Sequence, residues 1–368
     1  MKRKSILFIC PNPEGVAPSQ RLKYEQYFDY FKTQGYDITV SSFKTKYFWK
    51  IVYSNGYYLS KVFWTIIGYV KRILYIPLLP FYDIVYIHLN VTPFGMAFFE
   101  RIYLWLNPNV VFDIDDLVFI DNKSKVNGIT KYLKSSEKYY YLFRKAKQVI
   151  VCTPFLKEIA ERYTSHVTDI SSTIDTNIYL PVNKYLNNKK LVLGWSGSHS
   201  TLRYFYLLKE VLLELKKSKD FEIVVFGVNE CKIEGLDINV IPFSKENEVP
   251  ALQRIDIGLY PLPLNEQWVY GKSGLKALQY MALGIPTIAT KIAANLRIIK
   301  NEETGLLVKT DQEWLVALIC LLDEPSNRER LGTNARKSVV DKYSLTANQN
   351  IYLNVLNEIT NPSSLDSN

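Results

Sequence analysis

The sequence predicts an α/β protein made of two doubly wound parallel-sheet domains in series, and three observations carry that reading. A length of 368 residues exceeds the about 100–200 residues of one ordinary domain. With 48% hydrophobic and 22% charged residues the chain can bury sizeable cores, which excludes a disordered, collagenous or small disulfide-stapled protein. Short apolar runs rich in β-formers alternate with longer helix-like segments, the pattern of parallel strands joined by right-handed helical crossovers.

Strands are expected at 6–10, 37–42, 84–88, 110–114, 148–152 and 167–170, and a second series at 191–195, 222–227, 238–241, 255–260, 287–290 and 305–308. Each series has the size of one Rossmann-like domain, so the two domains are expected to face each other across a cleft. The first is placed at 1–178 and the second at 188–343. The seam at 176–190 is marked by Pro181, several Asn and a Lys pair. A helix at 344–360 is expected to cross back to the first domain, and 361–368 reads as a frayed tail. The opening Met1-Lys2-Arg3-Lys4 imitates a signal peptide, but its apolar run stops at Pro11 without a cleavage site, so it reads as a buried first strand. After that strand comes a loop with Gly15. Ser19 is the expected N-cap of one helix with the stripe Tyr24, Tyr27, Phe28 and Phe31, which Gly35 ends.

Four widely spaced cysteines without a CxxC, and three histidines, support neither a zinc site nor a disulfide framework, so a reducing cytoplasm is the expected location. The balance of 45 Lys+Arg against 36 Asp+Glu, a formal +9, points to an anionic partner. No acid occurs from Ile38 to Tyr82, where Lys44, Lys46, Lys50, Lys61, Lys71 and Arg72 are interleaved with aromatic residues. Charges such as Lys61 and Lys71 interrupt every apolar run before the ~20 residues that a bilayer requires. That zone is therefore read as resting on an anionic membrane surface, peripheral on the inner face, with its cations at the headgroups. Nucleic acid is not expected, because no binding motif accompanies the charge. The oligomeric state is left open.

The most informative stretch is Gly271-Lys-Ser-Gly-Leu-Lys-Ala-Leu-Gln-Tyr-Met-Ala-Leu-Gly-Ile-Pro-Thr-Ile-Ala-Thr290. Leu275, Leu278 and Ala282 form an inward stripe, Gly284 caps the helix, and Pro286 leads into a strand. Lys272, Lys276 and Gln279 then share the opposite face. Two like charges four apart, at a terminus whose dipole disfavours cations, suggest an anionic ligand held by the free N–H groups of Gly271, Ser273 and Gly274 together with both ammonium groups.

This helix-then-strand string resembles the signature of glycosyltransferase family 4, enzymes of the two-domain GT-B fold, whose usual form is E-x-F-G-x-x-x-x-E-A-M-A-x-G-x-P-V-V-A. Gly194-Trp-Ser-Gly-Ser-His-Ser-Thr201, Asp256-Ile-Gly-Leu-Tyr-Pro261 and Thr304-Gly-Leu-Leu-Val308 match in order, so the resemblance spans most of the C-terminal half. It implies transfer of a sugar from a nucleotide diphosphate sugar to a glycan or lipid-linked acceptor. Retention of configuration, no metal, no cofactor beyond the donor, and a place in bacterial surface polysaccharide synthesis come with it. The chain departs from the signature at Gly271 and Gln279, where the family carries its Glu pair; Gln279 still offers a donor and an acceptor to a ribose hydroxyl pair.

For the donor diphosphate the resemblance nominates Lys272, Ser273, Gly274, Lys276, Gly197, Ser198 and Arg203, with Gly15 in the first-domain loop. It makes His88 and Lys276 the catalytic candidates, His88 lying at a strand end where the family often carries a His near the transferred sugar. Asp113, Asp115 and Arg21 are read as acceptor-side residues. Two alternatives stand beside this reading: a metal-dependent transferase that uses Asp113 and Asp115, and a nucleotide-sugar-binding protein that lost catalysis with its Glu pair.

Overall fold

The computed structural model describes residues 3–52, 54–120, 135–182 and 190–360. The proposed frayed tail at 361–368 lies outside the described residues. Two compact units are present, one formed by Met1–Ser171 with Asn348–Asn368 and the other by Ser172–Ala347.

The first unit holds a six-stranded parallel sheet of order β2-β1-β3-β4-β5-β6, from Lys4–Cys10 (β1), Tyr36–Ser42 (β2), Ile84–His88 (β3), Val110–Ile114 (β4), Gln148–Val151 (β5) and Val167–Asp169 (β6). Every residue of β3, β4 and β5 is buried, as expected of strands covered on both faces. Alternation sends Leu7, Ile9, Val85, Ile87 and Phe112 into one apolar cluster. Phe8 on the other face meets Tyr86 and Tyr24, with ring centroids 4.6 and 5.3 Å away.

The expected single helix after β1 is three pieces: a turn at Pro18–Arg21, a 3-10 turn at Glu25–Tyr27 and a helix at Phe28–Thr33. Its N-cap is Ala17 with Pro18 in the first turn, not Ser19. The break between the pieces accompanies inward use of polar side chains, for Gln20 bonds the backbone of Asn12 and Lys23 turns to Asp113. The apolar stripe survives because Tyr24, Tyr27, Phe28 and Phe31 are all buried. Tyr352 of the helix Leu345–Thr360 packs on Tyr27 at 4.8 Å, Tyr36 Oη donates to Asn357 Oδ1 at 2.7 Å, and Lys147 Nζ donates to the Ile359 carbonyl at 2.9 Å.

Arg72 and Lys71 do not sit at a headgroup layer. Fully buried Arg72 donates to the carbonyls of Val91, Ser41 and Cys10, tying the ends of β1 and β2 to the segment after β3. Lys71 donates to the Ser42 carbonyl at 2.6 Å. The apolar runs also reach further than expected, for Tyr58–Phe81 is 24 residues long and its most apolar 18-residue stretch has mean hydropathy 1.4, long and apolar enough by composition to cross a membrane.

The second unit has the order β12-β11-β10-β7-β8-β9, from Val192–Ser196 (β7), Glu222–Phe226 (β8), Ile238–Ile241 (β9), Ile257–Tyr260 (β10), Thr287–Thr290 (β11) and Leu306–Val308 (β12). The unit begins at Ser172, upstream of the composition break at 176–190, because Ile174 N–H bonds the Tyr343 carbonyl at 2.9 Å and Arg336 donates to the carbonyls of Thr176 and Tyr179. Gly258 in β10 lets the Tyr280 ring lie against the strand, since a Cβ there would come within 2.6 Å of it. Tyr280 Oη in turn donates to Ser196 Oγ at 2.9 Å. Gly258→Ala is expected to lower stability by about 1–3 kcal/mol through overpacking, read as a lower midpoint in chemical unfolding; an unchanged midpoint would mean that Tyr280 yields freely.

Candidate functional site

In a doubly wound sheet the ligand crevice opens at the carboxyl ends of the strands where the order reverses. In the second unit that point lies between β7 and β10. The loop after β7 carries Gly197 and Ser198, and the loop after β10 runs through Glu266 to the 3-10 turn Gln267–Gly271 and the helix Leu275–Ala282. These connections bring together residues that are far apart in sequence. Arg203 donates to Glu266 Oε2 at 2.7 Å, Trp268 Nε1 donates to the same oxygen at 2.6 Å, and Lys272 Nζ lies 3.7 Å from the Trp268 ring centroid. Two of the nominated cations thus converge on one indole.

The expected face shared by Lys272, Lys276 and Gln279 does not form. The helix starts at Leu275 after a left-handed Gly274 (φ 74°), which leaves Lys272 in extended backbone as the cap of the preceding 3-10 turn. Gly274 is required here twice over, by its φ and because a Cβ would lie 2.3 Å from Ile298. No side chain caps the helix N-terminus, so its first amides are not used by a capping residue. Gln279 is buried and donates to Tyr179 Oη and to Glu248 Oε1, both at 2.9 Å. Its amide nitrogen is therefore occupied by the protein.

Lys276 stands in the first turn of the helix, a turn nearer its start than the face shared with Lys272 implied. The residue is partly exposed, while its ammonium is withdrawn from water; burial pushes its pKa down to about 8 against the opposing carboxylate of Glu248, and Lys272 adds to the lowering. Ser273 is partly buried beside it, and Ser198 is exposed, with its N–H bonded to Thr201 Oγ1 at 3.0 Å. An open hollow of about 530 Å³ lies by the same edge, lined by His199, Leu202, Tyr206, Glu230, Lys232 and Val240, with Cys231.

In the first unit the order reverses between β1 and β3, where His88 ends β3. The imidazole is fully buried, its Nε2 lies 3.2 Å from Asp115 Oδ1, and Tyr24 packs edge-on at 5.2 Å. Nδ1 is buried without a hydrogen-bond partner. The next residue, Leu89, has φ 65°, a strained conformation for a bulky side chain and one that clusters at functional sites.

Asp113 departs from its acceptor-side reading. It is buried in an ion pair with Lys23 and accepts from Tyr86 Oη at 2.5 Å, so both oxygens are taken. Burial works against the Lys23 charge, but Asp113, together with Cys152 and Asp115 behind it, outweighs burial and the pKa of Lys23 is raised. A metal shared by Asp113 and Asp115 would have to displace this pair, and among the described residues no group of three or more His, Cys, Asp or Glu could hold a metal ion. Gly15 departs too, because its N–H already donates to Glu25 Oε2 at 2.8 Å. Arg21 ends its turn partly buried.

Sequence reasoning missed Glu248, Glu266, Trp268 and Lys23. Only the aromatic–basic spacing from Trp268 to Lys272 carried a local signal; the others act on partners remote in the chain.

Two parallel six-stranded sheets, each flanked by helices and each with its strand order reversing at one point, make this a GT-B fold. A glycosyltransferase from Rickettsia africae shares it with a TM-score of 0.71 at 15% identity over 99% of this chain and 100% of that one. HepE from Anabaena, solved in complex with UDP-glucose, shares it with a TM-score of 0.61 at 13% identity over 96% and 99%. Residues 190–324, within the second unit, match the family model described as Glycosyl transferases group 1. The glycosyltransferase 1 domain-containing protein 1 of Xenopus tropicalis is 30% identical over 126 residues, which are 33% of this chain and 34% of that protein. The chain thus matches about a third of that curated relative's length.

Proposed function

We propose that the chain transfers a sugar from a nucleoside diphosphate sugar to a glycan or lipid-linked acceptor, with retention and without a metal, as a member of glycosyltransferase family 4 in bacterial surface polysaccharide synthesis. The observation that carries the donor part is the convergence, at the switch point of the second unit, of Arg203 and Lys272 on Trp268 beside a helix N-terminus that holds Lys276. Such cations and amides suit a diphosphate, and they act most where charge grows on the leaving group. Glu266 now holds Arg203 and must exchange it for the ligand. Support comes also from the UDP-glucose bound by HepE. Retention, the acceptor and the pathway rest on the signature resemblance alone.

Glu248 bears on the alternative of a binder without turnover. Its carboxylate stands 2.9 Å from Gln279 Nε2 and returns an acid to the place where the signature has one and this sequence does not. That favours a complete donor site, with Glu248 and the Gln279 carbonyl oxygen together on the ribose. His88 we assign to the transferred sugar through its unpartnered Nδ1.

Calorimetric titration with UDP and GDP is the direct test. Binding of one of them is expected, with Arg203→Ala weakening it by about tenfold, the loss of one charge-assisted hydrogen bond. Absence of binding to either would sink the donor reading, and binding without turnover across a panel of nucleotide sugars and acceptors would leave the binder.

A further inference from the structure

The helix Tyr58–Tyr75 reverses the usual arrangement of a surface helix, which turns its apolar stripe to the core and its charges to water. Here Leu59, Val62, Phe63, Ile66, Val70 and Ile73 recur at three- and four-residue steps and all are exposed, Leu59 at 88%. The opposite face carries the polar groups inward. Gly68 packs against the Phe43 ring, Arg72 is buried on three backbone carbonyls, Lys71 holds the Ser42 carbonyl, and Lys61 holds that of Ser54 at 2.5 Å. Only 17% of the most apolar window in Tyr58–Phe81 is buried. The apolar surface continues onto neighbouring elements of the same unit, where Phe81 is 80% and Trp105 81% exposed; the helix Phe98–Leu106 lies alongside, with Tyr103 Oη donating to the Arg72 carbonyl at 2.8 Å.

We propose that this face is a lipid-docking surface: the Tyr58–Tyr75 helix lies in the plane of a bilayer interface with its apolar stripe among the acyl chains. A helix with basic residues inside and apolar residues outside is matched to hydrocarbon rather than to water. It lies on the membrane and does not span it, because crossing would strip the Arg72 and Lys71 hydrogen bonds that fasten it to the sheet. Charge complements the apolar contact. No acid occurs from Ile38 to Tyr82, and Lys46 and Lys50 on the adjoining helix Lys46–Val52 are exposed to anionic headgroups. A second copy of the chain is a weaker fit, since two such faces would bring these lysines together without an acid in the segment to pair them. The surface corrects where membrane affinity resides: in the apolar stripe, with Lys71 and Arg72 serving the fold. It stands on the first unit alone and does not rest on the sugar-transfer reading.

The test is flotation of the full chain with phosphatidylcholine vesicles, with and without phosphatidylglycerol, at low and high salt. Flotation is expected with both, with high salt removing only the increment due to phosphatidylglycerol. The triple variant Leu59→Ser/Phe63→Ser/Ile66→Ser should float at least about tenfold less while keeping its unfolding temperature and its UDP affinity in solution, which separates this inference from the donor reading. Should the triple variant misfold, Phe63→Trp gives a second measurement, because its indole emission should shift to the blue on vesicles and be quenched by brominated acyl chains. The proposal is overturned if the wild type stays at the bottom of the gradient with both lipids, or if a folded triple variant floats like the wild type. It is equally overturned if emission is unchanged, or if the variant turns a soluble dimer into a monomer while neither protein floats.

Discussion

Nucleotide affinity should fall as pH rises through about 8, and the Lys276→Arg variant should lose that dependence. The Lys276 ammonium is withdrawn from water, and burial brings its pKa down from 10.5 to about 8. A lysine lowered in this way is charged in both folded and unfolded chains below about pH 8 and neutral only in the folded chain between about 8 and 10.5. The unfolded state then binds more protons, so the ligand-free fold gains stability from this group as pH rises through that window. A bound diphosphate reverses the preference, because it stabilises the ammonium. Affinity must therefore decline above about pH 8, and binding near that pH must take up a proton. Above pH 7 the phosphate's own second ionisation, at about 6, is complete and does not confuse the result. Lys276→Ala should weaken UDP about tenfold to a hundredfold, the worth of a hydrogen bond to a charged group, while raising the stability of the ligand-free protein at pH 7. Titration calorimetry in two buffers of different ionisation enthalpy measures both the affinity and the proton count. A flat profile from pH 7 to 9.5, with no proton uptake, would remove Lys276 from the diphosphate.

Lys23→Met should destabilise the first unit more than any substitution at an exposed lysine. It leaves Asp113 fully buried with no counter-charge, where Tyr86 supplies a single donor. Removing one partner of a buried pair costs about 3–5 kcal/mol, whereas replacing both with uncharged groups is often neutral. The expected order of melting temperatures is wild type and Lys23→Met/Asp113→Asn close together, with Lys23→Met well below, by about 6–20 °C at about 2–4 °C per kcal/mol for a unit of this size. Differential scanning calorimetry decides it. If the double variant melts as low as the single one, Asp113 has a role beyond pairing with Lys23, and an acceptor-side function regains its place.

The twelve strands of the two sheets are legible in the amino-acid order to within two residues at each end, for a physical reason. Strands covered on both faces are short unbroken apolar runs such as Ile6–Cys10 and Ile84–Ile87, and the crossover between parallel neighbours needs a helix, so the alternation is written locally. Part of the candidate site was local as well. Gly284 (φ 70°) ends the helix Leu275–Ala282 as the amino-acid order indicated, whereas its start after left-handed Gly274 (φ 74°) falls later than the face assigned to Lys272 and Lys276 implied. What the amino-acid order by itself determined was thus the succession of elements, the two-sheet class and the Gly284 end of the helix that holds Lys276.

Only the tertiary structure decided what each polar residue meets. Lys23 and Asp113 are 90 positions apart, Gln279 and Glu248 are 31, and Arg203 and Glu266 are 63. Periodicity cannot register such pairs, because it records which side of an element is apolar and not what stands opposite. The same limit explains Arg72. By composition it belonged with the exposed cations of a basic zone, yet its guanidinium turns inward to the carbonyls of Val91, Ser41 and Cys10. The apolar residues of its helix are turned outward as a result. Buried polar groups must find partners wherever the fold supplies them, and that requirement reassigned Asp113 from ligand to structure, took up the amide nitrogen of Gln279 and brought Glu248 and Trp268 to the site.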